Sequence, residues 1–193
     1  GIHIYKSKDG LKWNRETKLP IFNRFYSSNN IKEGHIDYDT HPYIIKFKNK
    51  YFYYGRLNPS RQERFIYYTI SDDLKSWCDP DLLKISNEEK GDFKNNYYHL
   101  VPFVYKNKLY AFTNYFKAIL KPNKNKFVDG CILILTSNNG IDWTIIGKML
   151  KHEGKYGDRI NDVKVINKKI IIYLRENINK PYPIFTKCNF ELQ

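Results

Sequence analysis

Long apolar runs are what this sequence most clearly lacks. Its longest, CILIL at 131–135 and IIIYL at 170–174, fall far short of the roughly 18–20 apolar residues that a membrane-spanning helix needs. Cysteine is scarce as well. Cys78, Cys131 and Cys188 are odd in number, far apart and without a C-x-x-C pair. That argues against a disulfide framework or a thiolate metal centre and leans towards a reducing, cytoplasmic setting. No segment carries the i, i+3, i+4 apolar spacing of a long amphipathic helix. The chain opens on Gly1 rather than Met, so the native start is expected upstream, and the lack of a leader segment carries no weight. Acidic residues are also in the minority, with 20 Asp and Glu against 33 Lys and Arg, for a net charge of +13.

What is present is aromatic. Seventeen Tyr and twelve Phe stand against a single Met, a bias towards half-buried pleated surfaces. With 41% hydrophobic residues in 193, the chain can bury a core as one domain or two small ones, and it is not of disordered composition. The positive charge would suit nucleic acid if it formed one patch. Much of it instead falls at tight turns, as Lys48 and Lys50, Lys106 and Lys108, Lys168 and Lys169. Lysines shared among equivalent turns read first as a solvated rim, second as an attraction to an acidic glycan or surface, and only last as a nucleic-acid site.

Those turns belong to a repeat. Short alternating segments are expected as strands at about 42–47, 51–56 and 64–70, at 100–105, 109–115 and 131–136, and at 162–166 and 169–176 with a third ending near Thr186. Residues 25–38 and 78–96 read as polar connectors, and 117–130 as a long basic loop. Asn49, Asn107 and Asn167 recur at intervals of 58 and 60 residues. Asn suits the left-handed positions of tight hairpins. A Ser-x-[Asp/Asn]-[Gly/Leu]-x-x-Trp element starts at Ser7, Ser71 and Ser137 and places all three tryptophans, Trp13, Trp77 and Trp143, in one slot. A unit of roughly 60 residues built from three or four short antiparallel strands predicts an all-β fold, a β-propeller of four-stranded blades. The expected layout is a single domain over 1–193, with a blade end at 1–24 and blades at about 39–80, 97–147 and 158–193. Since such rings need at least four blades to close, part of the ring is expected to lie outside this chain, the alternative being that residues 1–24 supply the closing strand of the last blade in a very small ring.

In a blade, the start of the first strand and the end of the second share a rim at the axis. Reading those positions off gives Asp39, His41 and Arg56 in the first complete unit and Tyr98, His99 and Asn114 in the second. The third contributes Asp158, Arg159, Asp162, Arg175 and Glu176. Carboxylates, guanidinium groups, imidazoles and aromatic faces together suit a sugar, whose hydroxyls want paired polar partners and whose C–H faces want rings. Glycoside cleavage commonly uses two carboxyl groups, one protonated and one ionised. Asp39 fits the ionised base or nucleophile, because Arg56 at the same rim would keep its pKa low. Glu176 fits the acid by position, and Asp162 or Asp158 fits an orienting role. The competing reading is that these are strand-end carboxylates paired with Arg56, Arg159 and Arg175 for structure. His41 and His99 read as hydrogen-bonding rim residues, so no metal ligand set is assigned. No cofactor is implied, although a central structural ion is compatible with the rim.

The run DTHPYIIKFKNKYFYYGR (39–56), its spacing to SDDLKSW (71–77) and the later SNNGIDW (137–143) resemble the five-bladed propeller glycosidases of glycoside hydrolase families 43 and 32 and their uncharacterised relatives. The resemblance implies a five-bladed ring and a catalytic base or nucleophile at the start of an inner strand, a position that falls on Asp39. A second Asp of that family, set in Arg-Asp-Pro, corresponds loosely to Asp162 within Arg-Ile-Asn-Asp-Val. Here Arg159 is displaced and the Pro is absent. The family's Glu acid has no motif match, so Glu176 is assigned by position alone. The first functional expectation is a glycoside hydrolase acting on an oligo- or polysaccharide, with an acidic glycan as the charged variant of the partner. The alternatives are a non-catalytic glycan-binding or scaffold propeller, and a basic module for another anionic partner.

Overall fold

A computed structural model describes residues 3–16, 35–37, 41–58, 63–119, 126–152, 159–176 and 184–191. Among them every regular element is a strand. A two-stranded sheet pairs β1 (Tyr5–Ser7) with β2 (Trp13–Arg15). A first full sheet holds β3 (His35–Asp37), β4 (Tyr43–Phe47), β5 (Lys50–Asn58), β6 (Phe65–Ser71) and β7 (Asp81–Leu82). A second runs in the order β8 (Lys84–Ser86), β12 (Asp142–His152), β11 (Lys126–Ser137), β10 (Lys108–Ile119), β9 (Lys94–Tyr105). A third consists of β13 (Arg159–Ile166), β14 (Lys169–Glu176) and β15 (Ile184–Phe190). The sheets are antiparallel throughout except that β8 joins β12 in parallel.

Each full sheet begins with a hairpin closed by two residues, Lys48-Asn49, Lys106-Asn107 or Asn167-Lys168, all with φ between 46° and 65°. Two successive left-handed residues make the turn whose twist matches the flanking strands. Asn adopts that conformation readily, whereas Lys in it costs about 1 kcal/mol. The three Ser-x-[Asp/Asn] elements form one corner, repeated bond for bond. Ser7, Ser71 and Ser137 Oγ accept from the backbone N–H three residues on at 2.8, 2.8 and 2.9 Å. Asp9, Asp73 and Asn139 Oδ1 each accept two further backbone N–H groups at 2.8–2.9 Å. Trp13, Trp77 and Trp143 Nε1 each donate back to the carbonyl three residues earlier at 3.2 Å.

These corners also join sheets. Trp143 lies edge-on to Tyr54 of β5 with ring centres 5.9 Å apart. The Tyr54 hydroxyl donates to the Gly140 carbonyl at 2.8 Å. Gly140 has φ +80°, and a Cβ there would lie 2.6 Å from the Phe52 ring, so the corner closes onto β5 only with glycine. Two apolar clusters follow. Phe52, Tyr54, Ile66, Leu109, Leu133 and Trp143 fill the space between the first and second sheets. Val101, Phe112, Ile132, Ile160, Val163 and Ile172 fill that between the second and third. The strands β9 and β10 bury both faces because their sheet is sandwiched. Packed sheets whose first strands gather at a common centre, with β9 against β4 and β13, are blades of a β-propeller.

Several strand limits differ from expectation. The connector expected at 78–96 contains β7, β8 and the start of β9. β10 runs on to Ile119 and β11 begins at Lys126, so both strands reach into the segment expected as a basic loop at 117–130. Lys117 holds its place in β10 by pairing with Glu89 at 2.6 Å and lying 4.6 Å from the Phe93 ring centre. The connector expected at 25–38 ends in β3. Cys78, Cys131 and Cys188 are all free thiols.

Candidate functional site

Above its hairpin, each first strand pairs regularly and then breaks. In the first sheet five pairs run from Phe47↔Lys50 to Tyr43↔Tyr54. The next pair is Asp37↔Arg56, so the pairing steps from Tyr43 to Asp37 while β5 advances only from Tyr54 to Arg56. In the second sheet six pairs end at Leu100↔Thr113, and pairing resumes at Tyr97↔Tyr115, which leaves Tyr98 and His99 opposite Asn114. In the third, five pairs end at Asp162↔Tyr173, and the next is Ile160↔Leu174, so Asn161 is the extra residue. Three irregularities therefore fall at nearly the same height on three neighbouring inner strands. Bulges bend a strand and re-aim its side chains, and they are frequent beside active sites. Of the residues predicted for the site, Tyr98, His99 and Asn114 fall at the second break and Asp162 beside the third.

At this level the three sheets touch one another. Arg56 is 2% exposed, with its guanidinium carbon 4.3 Å from the centre of the Tyr98 ring. A cation over a shielded ring face is worth about 0.5–2 kcal/mol, and this contact ties the first sheet to the second. His99 is buried and sets Nε2 2.9 Å from the Ile160 carbonyl. Nε2 must therefore carry hydrogen, and the bond ties the second sheet to the third. Thr113 Oγ1 donates to the His99 carbonyl at 2.6 Å, which holds the bulge itself. The Tyr43 hydroxyl donates to the Asn161 carbonyl at 2.6 Å and spans from the first sheet to the third. Burial, reinforced by the negative charge of Asp162, pushes the Tyr43 phenol well above its ordinary pKa, so it remains a neutral donor.

Asp162 is half-buried, and its Oδ1 accepts from the Val163 N–H at 2.8 Å. Asn114 is 4% exposed and lies opposite the Tyr98-His99 bulge. Arg175 is half-buried with Nε shielded from solvent and without a hydrogen-bond partner among the described residues. Arg159 lies across from Arg175 in the β13–β14 ladder, and Glu176 closes β14 opposite Ile184. His41 is exposed within the break of the first inner strand. Asp39 and Asp158 lie outside the described residues. The structure thus brings together Arg56, Tyr98, His99, Asn114 and the Ile160–Asp162 segment. Sequence reasoning missed Tyr43. Its only signal was a polar-tipped aromatic opening an inner strand just after His41-Pro42. Among the described residues no three His, Cys, Asp or Glu side chains gather as a metal site.

No protein-family model matches the chain, and no curated protein sequence does. Solved structures similar to it include the following two. An endo-arabinase from Bacteroides thetaiotaomicron VPI-5482 superposes with a TM-score of 0.60 at 13% identity, over 97% of this chain and 66% of that one. An α-L-arabinanase from Penicillium chrysogenum, complexed with arabinobiose, gives a TM-score of 0.49 at 10% identity, over 98% of this chain and 66% of that one. This chain therefore spans slightly less than two thirds of the length of either. The likeness to the endo-arabinase establishes the fold, and it is the propeller fold implied by the glycosidase resemblance in the sequence.

Proposed function

We propose that the rim where the three inner strands break is a carbohydrate pocket and that the protein is a glycoside hydrolase. The observation that carries this reading is the alignment of the three breaks in pairing, between Asp37 and Tyr43, at 98–99 and at 161, on three neighbouring inner strands. In the sequence Asp39 lies between Asp37, which pairs with the buried Arg56, and Tyr43. A guanidinium there favours the ionised carboxylate, the state that a base or nucleophile needs. The second carboxyl group is Glu176 as the acid, with Asp162 and Asp158 orienting. His41, Tyr98, His99, Asn114, Arg159 and Arg175 supply hydrogen bonds and ring faces for the sugar. A separation of about 5–5.5 Å between the two carboxyl groups gives retention, and about 6.5–9.5 Å gives inversion. Arabinan is the first substrate to try, because the structurally similar protein is an endo-arabinase.

The test is release of reducing ends from arabinan and a panel of other polysaccharides by the full-length protein, with Asp39→Ala and Asp39→Asn alongside. Loss of general acid–base or nucleophilic chemistry should lower kcat by at least about 10²–10⁴-fold, with an unchanged melting temperature. Hydrolysis that survives in Asp39→Ala would overturn the assignment. Glycan binding by calorimetry without turnover of any polysaccharide would make the protein a non-catalytic glycan-binding propeller instead.

A further inference from the structure

The opposite end of the axis carries a different pattern. There the three inner hairpins present Lys48 and Lys50, Lys106 and Lys108, Lys168 and Lys169, all exposed except the half-buried Lys108. The ends of the second and third hairpins meet across a cleft of about 270 Å³ lined by Tyr105, Lys168, Lys169, Asn189, Phe190 and Glu191. Lys48 Nζ reaches from the first sheet to the Asn138 carbonyl of the second at 2.9 Å, so all three turns share one face. Only Lys50 forms an ion pair among the described residues, with Asp72 at 3.6 Å. Each turn places one lysine in a left-handed position that Gly or Asn fills without strain. Of the carboxylates on this side, Asp72, Asp73 and Asp142 sit on the corners between third and fourth strands, and Glu191 follows β15, the third strand of its sheet, so all lie further from the axis than the hairpins. Charge is therefore sorted, with lysines at the centre and carboxylates outside.

We infer that this lysine ring is a binding face for an anionic polysaccharide, separate from the pocket at the other rim. Concentric sorting of charge suits a narrow polyanionic chain crossing the axis. A broad anionic surface such as a lipid bilayer would press against the outer carboxylates as well. Lysine is a point charge without the planar fork of Arg, which suits the variable geometry of sugar carboxylates or sulfates. Rings beside the lysines are already covered by ammonium groups, with Lys106 5.3 Å from the centre of Tyr105 and Lys108 5.9 Å from that of Tyr110. These contacts pair each ring with a charge rather than presenting a row of open rings for stacked nucleobases, which sets nucleic acid lower.

The experiment measures binding of the full chain to polygalacturonate and dextran sulfate, with neutral dextran, duplex DNA and phosphatidylserine vesicles as comparison arms. The triple variant Lys48→Asn, Lys106→Asn, Lys168→Asn keeps residues suited to the turns. Its charge-matched control is Lys84→Gln, Lys90→Gln, Lys187→Gln, all at exposed positions elsewhere. The turn variant should raise Kd for an anionic polysaccharide about tenfold or more, the control less than about twofold, and affinity should fall with added salt. Equal losses in the two variants would reduce the effect to net charge and overturn the proposal. So would tighter binding to DNA or to vesicles than to both polysaccharides, or no polysaccharide binding at low salt. Because the readout is binding alone, the result stands whether or not the opposite rim hydrolyses a glycan.

Discussion

The three tryptophans form a graded series within one motif. Their indole N–H bonds are the same length, 3.2 Å, to the same relative carbonyl, yet their surroundings differ. Trp143 is 1% exposed, Trp77 is half-buried against Tyr53, and Trp13 is 59% exposed. Replacing each by Ala holds the lost hydrogen bond constant and varies burial alone. An indole buries about 150–250 Å², which at about 25 cal/mol per Å² is roughly 4–6 kcal/mol of apolar transfer. After partial collapse of the site, Trp143→Ala should cost about 3–5 kcal/mol. Trp77→Ala should cost about half of that, and Trp13→Ala should stay within about 0.5 kcal/mol. Urea unfolding followed by tyrosine fluorescence and far-ultraviolet dichroism reads the differences. With a slope near 2 kcal/mol per molar, the midpoint of Trp143→Ala should fall by about 2 M, and that of Trp13→Ala should hardly move. Equal shifts for Trp13→Ala and Trp143→Ala would refute the reasoning, because the corner's hydrogen bonds rather than burial would then set the stability.

Two further outcomes follow from single contacts. A Cβ at Gly55 would lie 2.5–2.6 Å from the Tyr67 ring and hydroxyl, and Tyr67 is fully buried. Gly55→Ala should therefore cost about 1–3 kcal/mol through overpacking, read as a lower urea midpoint, and the double variant Gly55→Ala/Tyr67→Ala should show strong coupling. The third outcome concerns pH. Backbone N–H donors from Ser76 and Lys75 hold the Asp73 carboxyl below its ordinary value of 3.8. A depressed pKa contributes stability that is present above the unfolded value and lost as pH falls through the lower folded one. Asn139 makes the same bonds without charge in the second sheet's corner. Asp73→Asn should thus flatten the loss of stability as pH falls below about 4 while leaving it close to wild type at pH 7. A denaturation series showing the same acid slope in both proteins would count against it.

Features fixed by a few adjacent residues were legible in the sequence. The Lys-Asn turns, the Ser-x-Asp corners and the recurring Trp each depend on local backbone demands, so their spacing revealed the propeller. Strand lengths were hidden because burial overrode composition. Lys94 and Asn95 look like loop residues, yet they extend β9 because Ala118 and Lys117 pair with them. The parallel β8–β12 pairing joins segments about 58 residues apart and leaves no local trace. The site was legible in part. Arg56, Tyr98 and His99 could be placed at one rim by radial symmetry. The breaks that set their orientation depend on register between strands, which the apolar pattern alone does not encode. Tyr43 was missed because its partner, the Asn161 carbonyl, is a backbone atom and has no sequence signature.

The bond from Tyr43 to Asn161 spans 118 residues, and that from His99 to Ile160 spans 61. The entropy of closing the longer loop exceeds that of the shorter by only about 0.6 kcal/mol, but both need the third sheet in place. During synthesis the first and second sheets can pack around Trp143 before residue 160 exists, whereas the rim cannot. The rim is therefore a late product of folding, and high sequence separation of this kind slows the approach to the native state. A half-made molecule would have a core but no rim, so the contacts of Tyr43 and His99 with the third sheet would mark molecules in which all three sheets are seated.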